Sequence, residues 1–167
     1  MLWSEDLTKV AFWSASGHVT IAAGQLTEDS NNAQHYLYPT VSLASGKWTL
    51  SIYAQIASGT RHLALYPQGT GTAYAIFDLV AGTVSYSAGA NYVGSSITVV
   101  GGGWYRCAIT LTVTAGNLLP VVYLTNSATI PSAVYLGDGT SGILLFGAQL
   151  NPGTQPTPYI KTTTAAV

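Results

Sequence analysis

The stretch Trp48-Thr-Leu-Ser-Ile-Tyr-Ala-Gln-Ile56 decides the fold class, because its apolar residues recur at every second position. Ser51, Tyr53 and Gln55 occupy the alternate positions. Successive side chains of a β-strand point to opposite faces of the sheet. The pattern therefore predicts a strand with one face in a hydrophobic core and the other face outside it.

Similar alternation recurs about every ten residues, at 62–66, 74–79, 105–113, 121–125 and 143–150. Glycine-containing clusters such as Gly101-Gly102-Gly103 separate these stretches, as expected of turns. No window of convincing length has apolar residues at helical spacing. Short strands at this spacing predict an all-β sandwich or barrel. We expect one domain over residues 1–167, in which the Thr- and Ala-rich residues 156–167 form an extended C-terminal tail.

The chain is poor in charge. Charged residues make up 7% of its 167 residues, against about 25% in an average soluble protein. The net charge is -1 and the basic residues are scattered, which argues against nucleic-acid binding.

No apolar run reaches the ~18 residues of a membrane-spanning helix, so no membrane association is expected. Glu5 and Asp6 stand where a secretory signal has basic residues, so we expect no signal peptide.

Carboxylates that could act in catalysis are scarce. Of the six acids, Glu28 and Asp29 are adjacent and would point to opposite faces of a strand. Asp78 precedes the turn at Gly82, and Asp138 lies between two glycines, so both are predicted to shape turns. Glycoside hydrolysis needs two carboxyl groups on either side of the scissile bond. We therefore predict that the protein is not an enzyme.

Metal-binding patterns are weak. His18, His35 and His62 have no partner at the spacing of a transition-metal site, so no such site and no cofactor are expected. Calcium takes oxygen ligands from loops, and a structural calcium ion is a candidate for the acids near turns. These acids are Glu5, Asp6, Glu28, Asp29 and Asp138.

The single cysteine, Cys107, lies in an apolar row with Tyr105, Ile109, Leu111 and Val113. One cysteine cannot form an internal disulfide. Its position in the row predicts a buried, unreactive thiol that packs as a small hydrophobic group.

Aromatic residues are the positive signal for function, with 11 Tyr and 4 Trp against 3 Phe. Tyr and Trp combine an apolar face with a polar tip, which suits sugar binding. Alternation places several such side chains opposite core residues, and Leu144, Phe146 and Leu150 are expected on the core side of their strand, opposite Gln149. If the strands share one sheet, a glycan-binding face results; the alternative is that loops cover the rings and they only pack. The predicted face is Tyr53, His62, Tyr66, Trp104, Arg106 and Gln149.

Several motifs occur in series along nearly the whole chain. In order they are Leu26-Thr-Glu-Asp-Ser30 with His35-Tyr36, Trp48-Thr-Leu-Ser-Ile-Tyr-Ala54, Ala73-Tyr-Ala-Ile-Phe-Asp-Leu79 before Gly82-Thr-Val84, Gly103-Trp-Tyr-Arg-Cys107, Gly137-Asp-Gly-Thr-Ser-Gly142, Phe146-Gly-Ala-Gln-Leu150 and Pro156-Thr-Pro-Tyr-Ile160. Together they resemble the carbohydrate-binding-module-like jelly-roll domains of bacteriophage tail, fibre and head-decoration proteins.

The resemblance implies a jelly-roll-like β-sandwich of two antiparallel sheets with no catalytic centre. It also implies a place on the virion surface, contacts with other virion proteins of the capsid or tail, and a homo-oligomer, with a trimer as the first expectation. Host-surface glycans are a candidate ligand. The chain begins with Met and looks like a free-standing version of the domain. Two alternatives stay open: a stand-alone carbohydrate-binding module without an assembly role, and a glycoside-acting enzyme on the same fold.

Overall fold

The structure, a computed structural model, describes residues 4–9 and 11–162. In this part of the chain no helix is long and apolar enough to cross a membrane. In chain order the strands are β1 (Ser14–Ala15), β2 (Val19–Ala22), β3 (Gln25–Glu28), β4 (Asn32–Ala33), β5 (His35–Tyr38), β6 (Val41–Leu43), β7 (Gly46–Ser58), β8 (His62–Gly69), β9 (Tyr74–Asp78), β10 (Thr83–Ala88), β11 (Tyr92–Gly101), β12 (Trp104–Val113), β13 (Gly116–Thr125), β14 (Tyr135–Leu136) and β15 (Gly142–Pro152).

Two antiparallel sheets contain most of the strands. Sheet A has the strand order β1-β5-β13-β8-β9-β10, and β6 pairs with the first residues of β13. Sheet B has the order β11-β12-β7-β15-β3-β2, while β4 and β14 pair separately. The predicted jelly-roll-like β-sandwich of two antiparallel sheets is confirmed.

The core lies between the inner faces of the two sheets and follows the period-two pattern of the sequence. In sheet B, Leu50, Ile52 and Ala54 of β7 are almost completely buried. Leu65 and Phe77 of sheet A belong to the same core cluster and are also fully buried. Burying one large apolar side chain contributes about 1.5–3 kcal/mol. The alternation along β7 therefore predicted its buried face correctly.

Cys107 is completely buried in β12, as predicted. Burial raises the pKa of its thiol, so little of the reactive thiolate forms at neutral pH. We expect the native protein to react with a thiol-directed disulfide reagent far more slowly than the urea-unfolded chain. The absorbance of the released thiol measures both rates on the same single cysteine, and equal rates would show that Cys107 is accessible in the native state.

A β-bulge in β15 changes which of its side chains face the core. Gly147 and Ala148 together lie opposite one residue of β7, and Gly147 adopts a φ of +64°. Before the bulge, Leu144 and Phe146 pair with outward-facing positions of β7 and lie on the outer face of sheet B. The prediction that Leu144 and Phe146 face the core is wrong, because one extra residue reverses the alternation along the strand.

The C-terminal strap, residues 153–162, runs across the outer face of sheet B. Arg106 Nη2 donates a hydrogen bond to the carbonyl oxygen of Thr157 at 2.7 Å. The extended tail predicted at 156–167 is described up to Thr162, and that part forms no strand. The rest of the predicted tail lies outside the described residues. The strap therefore adds a layer of chain over one outer face of the sandwich.

Candidate functional site

The six residues of the predicted glycan-binding face lie on two different sheets. His62 and Tyr66 belong to β8 in sheet A, whereas the other four belong to strands of sheet B. The prediction that all six converge on one sheet surface is wrong. Alternation specifies the face of a residue within its own strand but not the sheet that the strand joins. The four residues on sheet B are Tyr53, Trp104, Arg106 and Gln149.

The polar groups on the outer face of sheet B bind the C-terminal strap. Arg106 Nη2 donates to Ser51 Oγ at 3.0 Å as well as to the strap. Gln149 Nε2 donates to Thr157 Oγ1 at 2.7 Å, and Gln149 Oε1 accepts from the backbone N–H of Ile160 at 2.9 Å. Gln149 is consequently buried. Both side chains hold the strap in place.

The rings on this face also pack against one another. Phe146 stacks on Tyr53 with ring centroids 4.6 Å apart, and Trp104 meets Phe146 edge-on at 5.0 Å. Tyr159 of the strap makes edge contacts with Tyr53 at 5.9 Å and with Phe146 at 6.3 Å. Sequence reasoning missed Phe146 and Tyr159 in this cluster. The geometry on sheet B favours the alternative that these rings pack.

The tyrosine row, a line of six tyrosines, crosses the outer face of sheet A. Neighbouring ring centroids in the row lie between 5.0 and 6.2 Å apart. The row crosses the five adjacent strands β5, β13, β8, β9 and β10. Because neighbouring strands lie ~4.8 Å apart, the row is about 20 Å long. Of its members, only Tyr66 belongs to the binding face that the sequence predicts. In order along the row they are Tyr38 and Tyr36, both on β5, then Tyr123, Tyr66, Tyr74 and Tyr86.

Small and apolar side chains form the floor of the tyrosine row. Ala64, Ile76 and Val121 are buried in a cluster with four of the rings, those of Tyr36, Tyr38, Tyr66 and Tyr123, and Tyr123 is itself buried. The other five tyrosines are partly exposed, and Tyr86 is 43% exposed. The rings are therefore positioned by packing from below, while part of each of these five side chains remains in contact with water.

The sheet beneath the tyrosine row has almost no charge. None of the described strands of sheet A contains Lys, Arg or Glu, and Asp78 supplies their one carboxylate. His62 Nε2 lies 3.9 Å from Asp78 Oδ2, beside the row on β8 and β9. Burial and then the neighbouring phenol groups raise the pKa of Tyr74. Its hydroxyl is therefore neutral near pH 7, where it can both donate and accept a hydrogen bond.

A separate polar cluster surrounds the carboxylate of Glu28, which is 2% exposed. Arg61 donates to it from Nε at 2.9 Å and from Nη2 at 2.6 Å. The Tyr135 hydroxyl at 2.6 Å and the backbone N–H of Asp138 at 2.8 Å also donate to it. Burial raises the pKa of Glu28, but these hydrogen bonds outweigh burial and hold the pKa below its ordinary value. The ionised carboxylate thus joins β3 to β14 and to the loop before β15.

The five acids considered as calcium ligands all have protein partners. Glu5 and Asp6 form surface ion pairs with lysines. The other three accept hydrogen bonds from backbone or side-chain donors. In residues 4–9 and 11–162, no three His, Cys, Asp or Glu side chains form a group that could hold a metal ion. The five acids are Glu5, Asp6, Glu28, Asp29 and Asp138.

Asp78 and Asp138 both shape turns, which confirms the role predicted for them. Asp138 Oδ1 accepts from the backbone N–H groups of Thr140 at 2.7 Å and Ser141 at 2.6 Å. Asp78 Oδ1 accepts from the backbone N–H groups of Val80 at 2.8 Å and Ala81 at 2.9 Å. The Ser141 hydroxyl and then these backbone groups hold the pKa of Asp138 well below its usual range.

No family model matches the chain, and no curated protein matches its sequence. Among solved structures, the chain is similar to the CBM22-1 xylan-binding domain from Paenibacillus barcinonensis Xyn10C. The similarity covers 88% of this chain and 89% of that one, with 14% sequence identity and a TM-score of 0.43.

Proposed function

We propose that this protein is a non-catalytic carbohydrate-binding module whose tyrosine row binds extended, uncharged glycan chains. The observation that supports the proposal is the continuity of the row, in which contacting rings cross five strands of sheet A. A linear glycan repeats an apolar C–H surface along its length. A line of rings about 20 Å long matches that surface over several sugar units.

The chemistry of the row favours neutral sugars. Each ring offers an apolar surface to sugar C–H groups, and each phenol hydroxyl can donate to or accept from a sugar hydroxyl. Binding a sulfate or a uronic acid favours an Arg or Lys partner. None of the described strands of sheet A contains either residue. The ligand class that we propose is therefore a neutral hexose or pentose chain.

The acids of the protein support binding without turnover. A glycosidase holds two carboxyl groups about 5–9.5 Å apart across the scissile bond. Asp78 is the one carboxylate on the described strands of sheet A, and it accepts hydrogen bonds within a turn. Glu28 is buried in its pair with Arg61. A glycoside-acting enzyme is the least supported of the three functions.

We propose further that the protein works on a virion surface, as a capsid decoration or fibre component in contact with other virion proteins. The motif resemblance supports this role, and a charge content of 7% gives little electrostatic resistance to assembly. Host glycans would then be the ligands of the tyrosine row. Electron microscopy of intact particles tests the location. Absence of the chain from purified particles would favour a stand-alone carbohydrate-binding module.

Replacing Tyr66 with alanine is expected to weaken binding of a neutral oligosaccharide roughly tenfold or more, because it removes a ring from the middle of the row. Tyr66→Phe keeps the ring and is expected to retain most of the affinity. A glycan array with neutral and acidic members selects the oligosaccharide, and titration calorimetry measures its affinity for each variant.

Tyr53→Ala is the matched control, because it removes a tyrosine from the covered cluster on sheet B. We expect this variant to keep the affinity and to unfold at a lower temperature. Binding that survives Tyr66→Ala and is lost with Tyr53→Ala would move the site to sheet B. A native protein that binds no neutral glycan on the array would contradict the proposed function.

A further inference from the structure

Strand β11 forms one edge of sheet B and is longer than the edge strands β1, β2 and β10. It has ten residues, and among the described strands only β12 pairs with it. Its register with β12 shifts only near its two ends, so the middle of the strand is regular. The backbone groups on its outer side are therefore available to another strand.

The other sheet edges are shorter or irregular. Strand β1 has two residues and β2 has four residues. Strand β10 has six residues, and its pairing with β9 is interrupted by a β-bulge. Proteins protect long edge strands with charged side chains, proline, bulges or covering segments. Residues 92–101 contain no charged residue and no proline. β11 thus lacks the sequence features that would prevent pairing along its centre.

Exposed apolar side chains flank this open edge. Val99 is 75% exposed and Val100 is 53% exposed near one end of β11, and Val93 is 40% exposed near the other. A strand that exposes valines at both ends gains apolar burial when a second strand pairs antiparallel to it.

We propose that β11 pairs antiparallel with β11 of a second copy of this chain and joins two copies of sheet B into one continuous sheet. The partner is a second copy because an antiparallel edge can be complementary to itself about a twofold axis. This interaction does not depend on glycan binding by sheet A.

In the register that we propose, Ile97 of one copy lies opposite Ile97 of the other. This register gives compatible neighbours on both faces of the joined sheet. It places Ser96 of one copy opposite Thr98 of the other, and hydroxyl residues form favourable cross-strand pairs. It also places Val99 opposite Ser95, which brings the exposed valines at one end of β11 toward Val93 at the opposite end of the second strand. Both apolar ends are then covered by the same interface.

Electrostatics does not oppose this pairing. Arg106 is the only charged side chain between Asp78 and Asp138 in the sequence. It lies on β12, one strand in from the edge, and donates to Ser51 and to the strap. Two β11 edges therefore approach with no like charges on the pairing strands. A twofold pair predicts a dimer, which differs from the trimer that the motif resemblance implies.

Val99→Lys is expected to weaken dimerisation of the full chain roughly tenfold or more, because a lysine on an edge strand must be desolvated when the edge pairs. Val80→Lys is the matched control, since Val80 is 65% exposed in the turn after β9 and lies outside β11. Sedimentation equilibrium is expected to show a concentration-dependent dimer for the native chain and Val80→Lys. A monomer or a trimer for the native chain, or an unchanged dimer in Val99→Lys, would overturn the proposal.

Amide hydrogen exchange tests whether the backbone of β11 forms the interface. We expect amides between residues 94 and 100 to exchange more slowly in the dimer than in the dilute monomer, with β2 as the reference edge. A dimer in which amide exchange along β11 is unchanged would contradict strand pairing, even if sedimentation shows that the chain is dimeric.

Discussion

Replacing Glu28 with alanine is expected to lower the free energy of unfolding by about 3–5 kcal/mol, because removing one partner of a buried ion pair leaves the other unpaired. Glu28 is 2% exposed, and Arg61 would lose the carboxylate that both its Nε and its Nη2 contact. The Tyr135 hydroxyl and the Asp138 N–H would lose their acceptor as well. The loss falls on a cluster that joins β3, β14 and the loop before β15.

Glu5→Ala is the matched control for this substitution. Glu5 pairs with Lys161 at the surface, where an ion pair contributes about 0–1 kcal/mol. Urea unfolding followed by tryptophan fluorescence gives the free energy of unfolding for each variant. If Glu28→Ala costs no more than Glu5→Ala, the buried cluster contributes little to stability.

The same cluster makes stability depend on pH in the acid range. Hydrogen bonds hold the pKa of Glu28 in the folded protein below its ordinary value of 4.5, although burial acts in the opposite direction. A carboxyl group with a lowered pKa stabilises the fold above that ordinary value, and this stabilisation is lost as pH falls through the folded pKa. We expect Glu28→Gln to remove this part of the acid dependence. Arg61 also contacts Asp138 at 3.3 Å, so the substitution changes the surroundings of both acids. The difference between the two curves of unfolding free energy against pH therefore measures the acid dependence of the cluster that contains Glu28, Arg61 and Asp138.

Replacing Gly147 with alanine is expected to cost about 2–5 kcal/mol of stability. Its φ of +64° disfavours a residue with a side chain by about 1–2 kcal/mol. A Cβ at this position would also lie 2.7 Å from Cδ2 of the Tyr53 ring. That ring is held by Phe146 on its face and by Tyr159 at its edge, so overpacking adds about 1–3 kcal/mol.

Gly102→Ala separates the two contributions. Gly102 has a φ of +61°, close to that of Gly147, and a Cβ there would have no atom within 4 Å. We expect this control to lose only about 1–2 kcal/mol from backbone strain. Urea unfolding of both variants measures the difference. Equal losses would show that the Tyr53 ring moves aside without cost.

The two outer faces of the sandwich use aromatic residues in different ways. On sheet B, Tyr53 and Phe146 are packed together with Tyr159 of the strap. On sheet A, five of the six tyrosines remain partly exposed above an apolar floor. Exposed rings that are already positioned lose little conformational freedom when a ligand binds. This difference is why the proposed site lies on sheet A.

Alternation along single strands was enough to predict the all-β class, the buried face of β7 and the burial of Cys107. It did not predict β11, because an edge strand rich in Ser, Thr and Gly has no continuous apolar row. It also failed at Phe146, where the bulge at Gly147 reverses the pattern. A local pattern identifies a regular strand with one buried face, and these two segments depart from that description.

Only the tertiary structure decided which outward residues meet. Tyr36 on β5 contacts Tyr123 on β13, although 86 residues lie between them in the sequence. Tyr53 and Tyr66 are near in sequence but lie on opposite sheets. The period of two reports the direction of a side chain relative to its own strand, whereas strand order depends on long-range pairing. The tyrosine row and the covered face of sheet B are products of that order.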